Sequence, residues 1–146
     1  DASEPERDVG RALLSTERMV MEQPGLHTTI LRFGGLIGYD RKPGRFLAGR
    51  ENVPNGQAPI NLIHRDDCIA IIEQVIDQEV WGEVFNACAD KHPTRKEFYT
   101  KAAKNAGLSV PSFDDSAAGH DKIVNSDKLK NVLNYRFHYP DPMQCI

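Results

Sequence analysis

Three short strand-like runs, each neighboured by a helix-like one, constrain this chain more than any other feature. Thr28 to Phe33 is β-branched and apolar, Pro59 to His64 reads PINLIH, and Glu83 to Cys88 reads EVFNAC. Helical composition precedes the first run from Glu6 to Gln23, where Pro24-Gly25 stops it. It follows the second over Cys68 to Val75 and the third from Thr94 to about Gly107. Strands that alternate with helices predict an α/β architecture with parallel pairs, because a parallel neighbour is reached only through a crossover. Thr28 to Phe33 shows no polar alternation beyond Arg32, which predicts a strand buried on both faces. After residue 90 the pattern loosens. The expectation is an α/β unit over 1–90 followed by a small α+β region over 91–146, in one compact unit, since 146 residues are too few for separate cofactor and substrate domains.

Local signals refine these elements. Leu13, Val20 and the neighbouring Thr16 and Met19 predict the packed face of the first helix. Asp66 is expected to cap the helix carrying CIAIIEQVI, and Thr94 with Glu97 matches a capping box. Tyr39 to Pro59 is rich in Gly, Pro, Asn and basic residues, a long loop with a short helix around Phe46 to Gly49. Further on, the reading is a polar loop over Asp114 to Asp121, a strand at Ile123-Val124, a capped helix over Ser126 to Leu133 and an extended piece from Tyr135 to Tyr139. Arg32, on an otherwise apolar strand, needs a carboxylate; Asp66 or Asp67 at the next helix start is the expected partner.

A formal charge of -3 and a pI near 5.9 supply no general attraction for nucleic acid or an anionic membrane. Cys68, Cys88 and Cys145 form neither a CxxC pair nor a disulfide framework, which favours a reducing, cytoplasmic compartment. Five histidines show no metal-ligand spacing, and no Gly-x-Ser-x-Gly elbow is present, so neither a metal site nor a serine hydrolase is predicted. The chain opens on Asp1 without the marks of a signal peptide, and the expectation is a piece of something longer.

The run RFGGLIG between Arg32 and Gly38 poses the functional question. A dinucleotide fingerprint places its first glycine at a tight turn and opens a helix on the pyrophosphate. Here Phe33 takes the first glycine's place, and Tyr39-Asp40-Arg41-Lys42-Pro43-Gly44 is turn sequence with no helical period. The phosphate reading therefore fails. Arg41, Lys42, Arg45 and Arg50 form a basic loop that either grips an anionic substrate or is merely solvated. His64 and Arg65 stand at a strand's C-terminal end, the edge where ligands bind in open α/β sheets; a histidine bonded to backbone is the rival reading.

Read in order, the helix reaching Glu17, the strand-turn LRFGGLIG, Gly38-Tyr39 with Pro43-Gly44-Arg45, and His64 with Asp67 in INLIHRDD resemble the C-terminal half of an extended or atypical short-chain dehydrogenase/reductase of the epimerase/dehydratase superfamily. The resemblance covers Val9 to about Tyr139. It implies a partial Rossmann-like, doubly wound parallel sheet with a small substrate-binding region. It also implies that Phe33, Gly34, Gly35 and Leu36 lie beside the nicotinamide end of NAD or NADP in the complete protein. The Tyr39 to Arg50 loop would then face a small-molecule sugar, alcohol or carbonyl substrate, with Arg41, Arg45, His64 and Arg65 as substrate-binding residues. The family's catalytic Tyr-x-x-x-Lys pair would fall on Val9 and Leu13, which do no acid–base work, so no catalytic residue is assigned. Gly35 stands where nucleotide-sugar enzymes usually carry asparagine. This chain alone is expected to bind NAD(P) weakly; a dinucleotide sensor or interaction module of the same fold is the alternative, and a homodimer stays open.

Overall fold

The computed structural model describes residues 8–114, 116 and 122–146. Helix α1 (Asp8–Met21) leads into strand β1 (Ile30–Phe33) and, past Gly34, strand β2 (Gly35–Ile37). A long loop containing a 3-10 turn at Pro43–Arg45 and strand β3 (Val53–Pro54) reaches β4 (Leu62–His64), which runs directly into α2 (Arg65–Asp77). Then follow β5 (Val84–Ala87), α3 (Arg95–Asn105), β6 (Phe113–Asp114) and α4 (Asp127–Leu133), with a last 3-10 turn at Pro142–Gln144. The strands form three parallel pairs, β1 with β5, β2 with β4 and β3 with β6. The α/β class and the parallel pairing follow the sequence expectation.

Gly34 is the point at which one extended run changes partners. Its N–H bonds to Ala87 O at 2.9 Å, and the next N–H, of Gly35, bonds to Asn61 O at 2.8 Å. A Cβ at Gly34 would stand 2.9 Å from Asn61 O and 3.2 Å from Cys88 Cβ, so only glycine lets these strands close up. Gly34 thus lets the run pass from one partner strand to the next.

Helix α2 shows why its sequence reads as core. Cys68, Ile71 and Val75 are buried at spacings of three and four, and with Ile63, Phe85, Leu129, Leu133, Tyr135 and Phe137 they form the main core. The capping box of α3 is present: Thr94 Oγ1 accepts from Glu97 N at 3.2 Å, and Glu97 Oε2 accepts from Thr94 N at 2.9 Å. That helix ends at Asn105, before Gly107 at φ +66°.

Several expectations are corrected. The apolar stripe predicted to pack in α1 faces outward, with Leu13, Met19 and Val20 exposed; the half-buried positions are Gly10, Leu14, Glu17 and Met21. Both stripes have helical spacing, so periodicity alone did not choose between them. Strand β1 is only half-buried, and Phe33 at its end is exposed. The 3-10 turn of the long loop falls at Pro43–Arg45, earlier than Phe46 to Gly49, because proline presets the φ of a first turn. The cap of α2 is His64, whose Nδ1 accepts from Asp66 N at 3.2 Å. Ile123-Val124 is not a strand: Asn61 fixes it, accepting from Val124 N and donating to Lys122 O, both at 2.8 Å. Ser126 precedes α4 without capping it, its hydroxyl being spent on Cys88, donating to the backbone O and accepting from the N–H. Residues 135–139 are irregular, and most of the polar loop over 114–121 lies outside the described residues.

Candidate functional site

The carboxyl ends of β2 and β4 stop side by side, with Ile37 in register with His64. In open α/β sheets this is the edge that receives ligands. A cavity of about 660 Å³ opens there, bounded by Gly38, Tyr39, Lys42, Arg45, His64 and Tyr139, with Ala102 of α3 and Ala106 just past its end forming another wall. The long loop reaches that wall because Gly44 has no side chain: a Cβ there would lie 2.5 Å from Ala102 O. Its far end is tied down by β3 and β6 and by Gly49 N–H bonding to Ser109 O at 2.9 Å.

His64 is buried and its ring is held on three sides. Nδ1 accepts the Asp66 N–H, Tyr139 stacks at 3.9 Å between centroids, and Tyr39 meets it edge-on at 5.5 Å. Tyr139 is itself anchored through the backbone. Asp67, fully buried at the start of α2, accepts from Tyr135 Oη at 2.7 Å, His138 N at 2.7 Å and Tyr139 N at 3.1 Å. Burial, and then the Asp67 carboxylate, pushes the Tyr135 phenol well above its ordinary value. Both acids of the Arg65-Asp66-Asp67 run therefore have structural work: Asp66 accepts the Tyr39 hydroxyl at 2.7 Å, and Asp67 straps the C-terminal segment.

The Tyr39 hydroxyl, hydrogen-bonded to Asp66 and close to Tyr139, is pushed up to about 12. The same bond holds the Asp66 carboxyl below its ordinary value. Tyr39 thus keeps its proton at neutral pH and spends it on Asp66. The Arg65 guanidinium lies over the Tyr39 ring, 4.4 Å from its centroid, which fixes the phenol from the other side.

Of the substrate-binding residues expected from sequence, Arg45 and His64 line the cavity, whereas Arg41 lies over the Phe46 ring at 5.4 Å and Arg65 over Tyr39. Lys42 and Tyr39 of the basic loop complete the wall. Tyr139 was not singled out; it lies 75 residues beyond His64, and nothing local marks it. Phe33, Gly35 and Leu36 are exposed and Gly34 is half-buried, so the expected cofactor-facing turn presents an apolar, accessible surface next along the chain from the cavity. Arg32 pairs with Glu17 of α1, not with Asp66 or Asp67: its Nε lies 2.9 Å from Glu17 Oε1, and its Nη2 also reaches the carboxylate. Val9 and Leu13, on that same helix, are exposed. Among the described residues no three His, Cys, Asp or Glu side chains converge as metal ligands, and no helix is long and apolar enough to cross a membrane.

A parallel α/β sheet with a cavity at its strand ends is the Rossmann type of arrangement, and solved structures of that fold superpose on most of the chain. A dTDP-glucose 4,6-dehydratase from Bacillus anthracis, in complex with NAD, matches over 97% of this chain and 51% of its own, with a TM-score of 0.74 and 17% identity. A functionally unknown conserved protein from Silicibacter pomeroyi reaches a TM-score of 0.82 at 23% identity, over 97% of this chain and 55% of its own. In sequence, the chain is 37% identical over 140 residues to protein YeeZ of Escherichia coli K12, a match covering 95% of this chain and 51% of that protein. The chain thus spans about half the length of the curated relatives it matches. No protein-family model matches it.

Proposed function

We propose that this chain is the substrate-side portion of an NAD(P)-dependent epimerase-, dehydratase- or reductase-like protein acting on a sugar or a small alcohol or carbonyl compound. The observation that carries the reading is the cavity at the paired ends of β2 and β4, one turn along the chain from the exposed Phe33 to Leu36 surface. A nicotinamide ring on that surface would be held against a substrate in the cavity, while the cofactor itself supplies hydride chemistry. Sugar dehydratases and epimerases among the fold's solved structures, some with NAD or NADPH bound, support the same assignment. In this reading Phe33, Gly34, Gly35 and Leu36 border the nicotinamide, Arg45 and His64 face the substrate, and a dinucleotide-binding half completes the site. Three free thiols support a reducing, cytoplasmic setting.

The experiment is a fluorescence titration of NADH and NADPH against this chain and against the gene product that contains it. Weak binding by the chain, tight binding by the larger product and cofactor oxidation with a carbonyl substrate are expected. Tight binding to the chain alone would contradict the division of labour. A second reading, a non-catalytic dinucleotide sensor or interaction module, is favoured by one feature: Val9 and Leu13, the positions on which the resemblance would put the family's acid–base pair, are exposed apolar side chains. Cofactor binding by the larger product without turnover would select it.

A further inference from the structure

His64 is 6% exposed, yet it carries one polar atom that no described group satisfies. Its Nδ1 accepts the Asp66 N–H and so bears no proton, which leaves the ring proton on Nε2. Nε2 has no hydrogen-bond partner among the described residues, and it points toward Gly38, standing 3.8 Å from where a Cβ of that glycine would sit. Gly38 and His64 both line the cavity. A donor on a largely buried ring that opens on a cavity is a place where a ligand's acceptor can bond.

The cations on the same wall define the acceptor further. Lys42 and Arg45 line the cavity, both are exposed, and neither has a carboxylate partner among the described residues. Arg41 and Arg65, by contrast, are engaged with aromatic rings. Tyr39 adds the opposite polarity: its proton goes to Asp66, so its oxygen offers a ligand only lone pairs.

We propose that the cavity is an oxyanion-binding site in which His64 Nε2–H, held in one tautomer, donates to the ligand's anionic group and Lys42 and Arg45 supply the positive charge. The fitting ligand is a small hydroxylated phosphate or carboxylate, whose hydroxyl donates to Tyr39. The proposal uses the cavity of the function proposed above and narrows its substrate class. It needs no nicotinamide, so its failure is distinguishable from failure of that reading.

The test is calorimetric titration of this chain, without cofactor, by glucose 6-phosphate, gluconate and glucose, alongside long-range ¹H–¹⁵N correlation spectra of the histidine side chains. Either anion is expected to bind at least about tenfold tighter than glucose, as charge-assisted hydrogen bonds require. Whichever anion binds tighter identifies phosphate or carboxylate as the natural source of the charge. The free protein should show His64 protonated on Nε2 alone, with that nitrogen's signal moving on saturation. The doubly substituted chain K42A/R45A, whose changes are on exposed positions, should lose about tenfold in anion affinity. Equal binding of the three sugars, no binding at all, or a His64 Nε2 signal unmoved at saturation would overturn the proposal.

Discussion

The two flanks of the β1–β5 pair are built to different standards. On one, α2 buries Cys68, Ile71 and Val75 in the main core, and Asp67 at its start takes three hydrogen bonds from the C-terminal segment. On the other, α1 has no buried residue, and its described side-chain tie to the sheet is the Glu17–Arg32 ion pair, part-exposed on both sides. Helix propensity suffices to write α1, but packing is what makes a helix resist opening. The chain is self-sufficient on the α2 side, which holds His64 and Tyr139 of the cavity, while the Gly44 loop rests on α3.

The comparison is broken most severely at Asp67. Asp67→Ala strands three donors at once and is expected to cost on the order of 3 kcal/mol or more in urea unfolding. A cost below about 1 kcal/mol would show that the strap is ornamental. Next is Gly44→Ala, whose new Cβ would meet Ala102 O at 2.5 Å. Roughly 1–3 kcal/mol of overpacking is expected in the same assay, together with weaker ligand binding as the loop lifts from α3.

On the other flank effects should be small. Glu17→Gln removes a partly solvated ion pair and is expected to cost about 1 kcal/mol or less. Its pH dependence has a definite sign. Hydrogen bonding to Arg32 lowers the Glu17 carboxyl below 4.5, so the pair's contribution is full above that value and is lost as pH falls through the folded-state value. The wild-type minus variant difference in unfolding midpoint should therefore vanish in acid and persist at neutrality. Smallest of all, Leu13→Ser on the exposed stripe should leave stability within about ±0.5 kcal/mol. A larger loss would mean that this face is covered in solution.

What could be read from the residues follows the same divide. Elements whose signals are local were legible: the Thr94–Glu97 box, the CIAIIEQVI core stripe of α2, and the strand runs that became β1, β4 and β5. The alternation that predicted parallel pairs depends only on neighbouring segments. Choices between equivalent partners were not legible. For Arg32 the residues pointed to Asp66 or Asp67, and only the three-dimensional path of α1 brings Glu17 to it instead. Helix α1 carries two stripes of helical period, and the one containing Glu17 turned inward because it meets that arginine. His64 was marked as a ligand residue from its place at a strand end, but its cap to Asp66 and its stacking on Tyr139 depend on a segment held by Asp67. Arg41 was assigned from the basic loop and Arg65 from its place beside His64 at a strand end; that each guanidinium lies over a neighbouring aromatic ring could not be read from either position.

Native-state hydrogen exchange resolved by residue is the most direct test of the claim that one flank is finished and the other held by an ion pair. Amides of α2 and α3 should exchange only through global unfolding, whereas those of Asp8–Met21 should exchange through local opening, at rates little affected by mild denaturant. Protection of α1 equal to that of α2 would contradict the account.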